Sequence, residues 1–466
     1  MNNLVLYCAS TRFPDRERLV AENRSVGPSR RQFSTVFMWR AVAMAATVLQ
    51  SIVLARVLGA EVFGGFSFAI STISIVALLV SLGLDQLFMR DLSAVDPDRA
   101  EGRERVVGVL ALSATVVAPG CVFVAAVGVA LLVMSSEPTR DANPYIYPLV
   151  VVLVTLPILM LRKFAEAGIL AVKRPVLSFV GSNLIFPTMI SVGVVLAERF
   201  VRVGPLTISA VYAVALFASA AFAVLVLRPE LVRRLRAGRG PVLSRVPLRS
   251  TLRTSASLAL VGSGFLISQN LDVILTGVFA TPGDVATVRI VSRLGEMIAI
   301  FRVITLLQYK PYLAKAGMAG DWPTLERLMA KMTRTYVLTG APLMVVAFAL
   351  SSQILSLWGP DFAESEWTFR VYMLGVFVML LGGPAATALS LSGHEKWAVR
   401  SLWTSVAVGA AGNCILIPMY GAFGCALASL ASMIVLAWTS NRWARTRMGV
   451  NATVFTAFRR SPPAIS

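Results

Sequence analysis

ARVLGAEVFGGFSFAISTISIVALLVSLGLDQLFMRDL, residues Ala55 to Leu92, closes one apolar segment, turns at Gly59 and runs through a second apolar segment to Asp85 and the Arg90–Asp91 pair. Crossing roughly 30 Å of hydrocarbon takes about 20 predominantly apolar residues, and residues 63–89 meet that length. The pattern recurs in both directions. Twelve such spans are expected near residues 34–58, 63–89, 106–134, 145–170, 176–197, 205–227, 255–280, 284–308, 333–357, 368–392, 398–418 and 421–441. Composition agrees, with 56% hydrophobic and 14% charged residues and a mean hydropathy of +0.74. These values exclude an ordinary soluble domain. The fold class is an all-α polytopic membrane protein.

Charge gives the orientation. If the N-terminus is cytoplasmic, the inside connections and tails, taken with their flanking span ends, hold 34 of the 43 Lys and Arg. The outside connections hold only Arg140, Arg199 and Arg202. That asymmetry follows the positive-inside rule and predicts that both termini are cytoplasmic. The formal net charge of +19 is therefore a property of topology and does not point to nucleic acid. The densest run, Arg228 to Arg253, has two readings: a topological anchor on an anionic leaflet, or a site for a lipid headgroup or partner. It is also the longest inside connection. It divides the chain into a basic cytoplasmic tail (1–33), an N-terminal six-helix lobe (34–227), a basic linker (228–254), a C-terminal six-helix lobe (255–441) and a cytoplasmic tail (442–466). Because each lobe has an even number of spans, a repeat relating them would be parallel. Gly59 with Glu61, and Gly283 with Asp284, suggest corresponding turns.

Cys8, Cys121, Cys414 and Cys425 form no CxxC pair and read as small hydrophobes. His394 is the single histidine, so no clustered His/Cys zinc site is expected, and no cofactor is called for. Residues Met1 to Ser10 lack the basic region and apolar core of a signal peptide. Pro119, Pro157, Pro187, Pro342 and the run Gly382, Gly383, Pro384 interrupt spans, as static kinks or as hinges.

The polar residues inside spans are the candidates for function. At 100° per residue, Ser67, Ser71, Ser74, Ser81 and Asp85 fall within about 40° either side of the Ser67 direction. Ser257, Gly264, Ser268 and Asp272 form a comparable stripe on span 7. Such stripes either line a wet cavity or pack helices together. A charge at mid-bilayer costs about 3 kcal/mol on insertion scales, so it should face protein or water. Asp272 and Arg293 lie at matching depth, roughly 12 to 14 Å from the outer end, and their first reading is an ion pair across the hairpin of spans 7 and 8. Arg289, Arg293 and Glu296 share one face of span 8. Arg302 points away from it and can snorkel to the interface; Arg40 lies at a similar depth in span 1. Arg40, Arg289, Arg293 and Arg302 outnumber Asp85, Asp272 and Glu296, an excess suited to an anion such as pyrophosphate.

With these residues in view, the chain resembles the O-antigen (Wzx-type) flippases of the polysaccharide transporter family, in the superfamily that includes multidrug and toxin extrusion (MATE) transporters. The resemblance covers roughly residues 34–445. It is carried by ARVLGAEVFGGFSFA from Ala55, LGLDQLFMRDL at the end of span 2 and QNLDVILTGVFA in span 7. SLWGPDFAES after span 9, ALSLSGHEKWAVR after span 10 and NCILIPMYGAFGCALAS across spans 11 and 12 complete it. It implies two MATE-like six-helix bundles around a cavity lined chiefly by spans 1, 2, 7 and 8. It also implies a bacterial inner-membrane transporter, not an enzyme, that moves undecaprenyl-pyrophosphate-linked oligosaccharide by alternating access. Membrane lipid, the polysaccharide polymerase and export proteins are its implied partners. The family's span 8 arginine looks like Arg293 and its span 7 acid like Asp272. Position 289 is usually uncharged in that pattern, so Arg289 departs from it. Arg56 and Arg90 match family positions at helix ends and are structural. The drug-extrusion relatives use an acid in span 1, where this chain has none, so the coupling ion stays unassigned.

Two other classes stand beside this reading. A cation-coupled drug exporter would favour unpaired acids in the cavity. A polytopic polymerase or glycosyltransferase would need a large outer loop, whereas the outer connections here are only about 5 to 15 residues long.

Overall fold

The computed structural model describes residues 30–94, 103–135, 143–200, 203–236 and 248–451, and among these there are helices and turns but no strand. Cys8, Arg140, Arg202 and most of the two expected tails lie outside the described residues. The chain divides into two units between Val42 and Ala43, and the features below belong to the second.

Glycine makes the first hairpin. Helix α1 (Arg30–Ser81) is two segments joined at Gly59, which has φ 74° and ψ 171°, a conformation essentially restricted to glycine. Leu82 (φ 46°) and Gly83 (φ 75°) then break the chain, and α2 (Leu84–Ala94) sets off afresh. The regular helix of span 2 therefore ends before Asp85. Next come α3 (Arg103–Met134) and the pair α4 (Ile146–Val154) and α5 (Leu156–Ala171), bent by 54° at Thr155. Pro157 lacks the N–H that would continue the ladder. The Thr155 hydroxyl lies 2.8 and 3.1 Å from the Val151 and Val152 carbonyls, so the bend keeps those acceptors supplied.

Helix α6 (Pro175–Val180) passes through one π-helical turn, Gly181–Ile185, into α7 (Phe186–Glu198). The Ser219 hydroxyl of α8 (Pro205–Arg236) donates to the Gly181 carbonyl at 2.8 Å and anchors that turn. The second half follows: α9 (Leu248–Phe279), α10 (Pro282–Met318), α11 (Trp322–Ala349) and the short α12 (Ser351–Ser356). Then come α13 (Glu366–Leu381), α14 (Ala385–Leu391) and α15 (Glu395–Met448). The chain bends by 45° between α13 and α14, where Asn441 Nδ2 donates to the Gly382 carbonyl at 2.7 Å. Helix α15 is again two segments, joined at Gly421 (φ 55°, ψ −133°).

Among the described residues, six helices are long and apolar enough to cross a membrane, or up to eight if each bent pair is one span. Helices α9 and α10 are not in that set; they carry Asp272, Arg289, Arg293, Glu296 and Arg302. Helix α8 continues past the expected lobe boundary at residue 227 to Arg236, and α9 starts at Leu248, ahead of the boundary expected at 255. Helix α15 likewise continues to Met448, into the expected tail. Near its ends Trp397 and Trp443 face each other at 4.0 Å and 31°. The Arg447 guanidinium lies 4.3 Å from the Trp397 ring, and that of Arg400 lies 5.8 Å from both rings.

The largest apolar cluster of the core runs from α1 to α15, with Phe88, Tyr212, Tyr336, Trp358 and Phe369 among its largest fully buried side chains, and smaller clusters lie around Val273 and around Ile169. Leu49, Phe123, Phe217 and Trp438 are exposed, as lipid contact allows on the outer faces of spans.

Candidate functional site

The site begins at the cap of α10. The Thr281 hydroxyl accepts from Asp284 N–H, and the Asp284 carboxylate accepts from Thr281 N–H in return, a reciprocal box that fixes where the helix starts. The same carboxylate accepts from Ala422 N–H at 3.0 Å, which ties the start of α10 to the turn at Gly421. Further along α10, Arg289 and Arg293 fall four residues apart on one face.

Both arginines line a cleft of about 490 Å³. Thr47, Gln50 and Ser51 of α1 supply its hydroxyl and amide groups, Ser67 adds another hydroxyl, and Phe63, Phe66 and Phe186 form aromatic walls. No carboxylate is among the described lining residues. Arg293 Nη1 donates to Glu296 Oε2 at 2.8 Å, and Gln269 Nε2 donates to Glu296 Oε1 at 3.1 Å. Glu296 is thus occupied on both oxygens, and among the described residues Arg289 has no ion pair. Its guanidinium lines the cleft. Gly295 sets how closely α10 meets α13, because a Cβ there would sit 2.8 Å from the Tyr372 ring.

Contacts around the Gly59 turn border the cleft at Ser51. Arg56 Nε donates to the Leu357 carbonyl at 2.8 Å, and Trp358 Nε1 donates to the Ser51 hydroxyl at 3.0 Å. Gly64 touches the start of α10 so closely that a Cβ would overlap the Pro282 carbonyl oxygen. The structural role read for Arg56 matches this contact.

The expected Asp272–Arg293 ion pair is not formed. Asp272 receives Asn413 Nδ2 at 2.7 Å on one carboxylate oxygen and the Ser429 hydroxyl at 2.8 Å on the other. Helix α9 packs along α15, which turns Asp272 toward Asn413 and Ser429 and leaves Arg293 to its neighbour three residues on. The serine stripe of span 2 also divides. Ser67 reaches the cleft, but Ser71 is fully buried without a hydrogen-bond partner and the Ser74 hydroxyl donates to the Ile70 carbonyl at 2.7 Å. These two pack helices and do not line the cleft. Asp85, displaced by the break at Gly83, borders a different pocket with Lys163 and Glu166. Ser268 and Arg302 are half-buried and outside the cleft lining. The side chain of Arg40 lies outside the described residues, as does that of Ser257. Thr47, Gln50 and Ser51 are legible in sequence as a polar face by their three and four spacing, whereas Phe186 and Asn413 carry no local signal of their role.

Solved structures of low sequence identity share the fold. An inward-facing multidrug resistance MATE family transporter of the MOP superfamily aligns with a TM-score of 0.68 at 12% identity, covering 87% of this chain and 94% of the other. The lipid II flippase MurJ in an inward closed conformation gives 0.70 at 12% identity, covering 88% and 87%. A MOP superfamily transporter from Pyrococcus furiosus gives 0.55 at 12% identity, covering 90% and 94%. No curated protein matches the chain by sequence. Residues 30–316, more than half of the chain, match the polysaccharide biosynthesis protein family, and the chain belongs to that family.

Proposed function

We propose that this protein carries undecaprenyl-pyrophosphate-linked oligosaccharide repeat units from the inner to the outer leaflet of a bacterial cytoplasmic membrane. The units serve a surface polysaccharide: O-antigen, capsule or exopolysaccharide. Membership of a polysaccharide biosynthesis family supports the class of substrate, and the MOP-type fold supports transport by alternating access between two lobes of six spans. The observation that carries the reading is the cleft itself, lined by Arg289 and Arg293 and by no described carboxylate. A guanidinium binds a phosphate through two parallel hydrogen bonds, so Arg289, with no ion pair among the described residues, is the group to hold the pyrophosphate. Arg293, oriented by Glu296, lies one turn away as a second contact. Thr47, Gln50, Ser51 and Ser67 offer hydrogen bonds to sugar hydroxyls, while the polyprenyl chain stays in lipid. A cationic drug would find no acid among the described residues of these walls.

Deleting the gene and locating the lipid-linked oligosaccharides by leaflet tests the proposal. Complete repeat units trapped on the inner leaflet, with surface polymer lost, would support it. Unpolymerised units on the outer leaflet would assign the chain to polymerisation instead, and unchanged glycolipids would refute a role in their transport.

A further inference from the structure

A second polar site lies between α2, α5 and the π-helical turn. A pocket of about 810 Å³ is bordered by Asp85 of α2, by Lys163 and Glu166 of α5, and by Ser178, Ser182 and Asn183 of α6 and the π-helical turn. The basic residues counted for the inside of the membrane include Arg162 and Lys163, yet both lie within α5. Arg162 Nε is 3.5 Å from Glu166 Oε1, with the two side chains 13% and 19% exposed. The contact is an ion pair but not a hydrogen bond. Glu166 Oε1 and Arg162 Nε and Nη1 are all buried without a hydrogen-bond partner. Two acids and two bases in their ordinary charge states make the cluster neutral, so one added proton leaves it with net positive charge.

Three elements around this pocket depart from regular helix. The chain breaks at Leu82 and Gly83 immediately before Asp85, α4 and α5 bend by 54° two turns before Arg162, and the π-helical turn Gly181–Ile185 runs along its wall. Such turns frequently mark functional positions within helices. The turn ends at Phe186, whose ring lies 5.0 Å from the Arg162 guanidinium, packs edge-on to Tyr212 at 5.6 Å and forms part of the cleft wall. Arg162 therefore touches the ionic pocket through Glu166 and the cleft through Phe186.

We propose that the Asp85, Arg162, Lys163 and Glu166 cluster is a proton-binding site, and that a proton on Glu166 releases Arg162 from the carboxylate and so moves Phe186 at the cleft wall. Arginine keeps its charge throughout the physiological range, so Glu166 is the member of the pair that titrates. The groups facing it are Arg162 and Lys163 on its own helix, Asp85 from α2, and the uncharged Ser182 and Asn183 from the turn; Tyr212 of α8 faces Arg162. The proton enters from water in the pocket and forms the O–H bond on the carboxylate, with no other covalent bond made or broken. The switch operates whatever the cleft carries.

A nitroxide attached at Ser67→Cys, in full-length protein with the native cysteines replaced by alanine and reconstituted in nanodiscs, reports motion in the cleft without substrate. Its spectrum should change between about pH 7 and about pH 3.5, a range that brackets ordinary glutamate titration. Glu166→Gln should hold the low-pH spectrum at both values, and Glu166→Asp should restore the response. Phe186→Leu, which removes the ring but keeps Glu166, should abolish the response; it also serves as the test if Glu166→Gln does not yield monodisperse protein. A spectrum indifferent to pH, or a pH response that survives in Glu166→Gln or in Phe186→Leu, would overturn the proposal.

Discussion

Arg289 and Arg293 differ by one ion pair, and that difference predicts different phenotypes. Arg293 is held by Glu296 at 2.8 Å, so Arg293→Ala leaves a carboxylate without its cation and disturbs the helix as well as the cleft. Arg289 has no such pair among the described residues. Arg289→Ala should leave membrane insertion and yield unchanged while weakening substrate capture by about 1.5–3 kcal/mol, the worth of a hydrogen bond to a charged group. Arg289→Lys keeps the charge but loses the planar fork and should fall between. Surface polysaccharide from strains carrying each variant measures this, and normal polymer in both alanine variants would remove the pyrophosphate contact. Asn413→Ala deprives the Asp272 carboxylate of one of its two donors and should cost about 1–3 kcal/mol, seen as a lower unfolding temperature in detergent. The sequence reveals the arginine excess and the Arg293–Glu296 spacing, because both are local to one helix. It does not reveal where Asp272 turns, since that depends on how α9 packs along a helix whose Asn413 lies 141 residues further on.

Between helices, the Gly59 turn is set by backbone conformation and the start of α10 by its side-chain cap. Gly59 has nothing within 4 Å of an added Cβ, so Gly59→Ala tests conformation alone and should cost about 1–3 kcal/mol. Gly64→Ala is a different kind of lesion, because its Cβ overlaps the Pro282 carbonyl. It should push the Gly59 turn away from the start of α10 and make Ser67→Cys more reactive to a membrane-impermeant thiol reagent. An unchanged rate in folded protein would mean that this contact does not seal the cleft. The turn at Gly59 is legible in sequence, but the one at Gly421 is not. Gly283 lies inside the first turn of a helix capped by Thr281 and Asp284, and it is Gly421 that adopts the strained geometry. A glycine beside an acid cannot distinguish a helix cap from a left-handed turn; the Thr281 cap decides. Pro157 and Pro187 mark in sequence the break at Thr155 and the end of the Gly181–Ile185 turn, but a proline does not tell a bend from a π-helical turn.

Over the full length of the chain, hydropathy makes the membrane fold plain and charge asymmetry makes an orientation predictable. A C-terminal green fluorescent protein fusion should fluoresce, and a C-terminal alkaline phosphatase fusion should be inactive, if that end is cytoplasmic; the reverse pair would invert the topology. What composition does not separate is a basic residue in a loop from one held inside a lobe, as Arg162 and Lys163 show. The same counting overlooks a pair of aromatic residues near the two ends of α15. Trp397 and Trp443 lie 4.0 Å apart and tilted by 31°, close enough for their electronic transitions to couple, so the protein should carry a two-signed band in its ultraviolet circular dichroism that either Trp397→Phe or Trp443→Phe removes. That band is a built-in optical gauge, and its loss or retention during turnover would tell whether the two segments of α15 travel together or part.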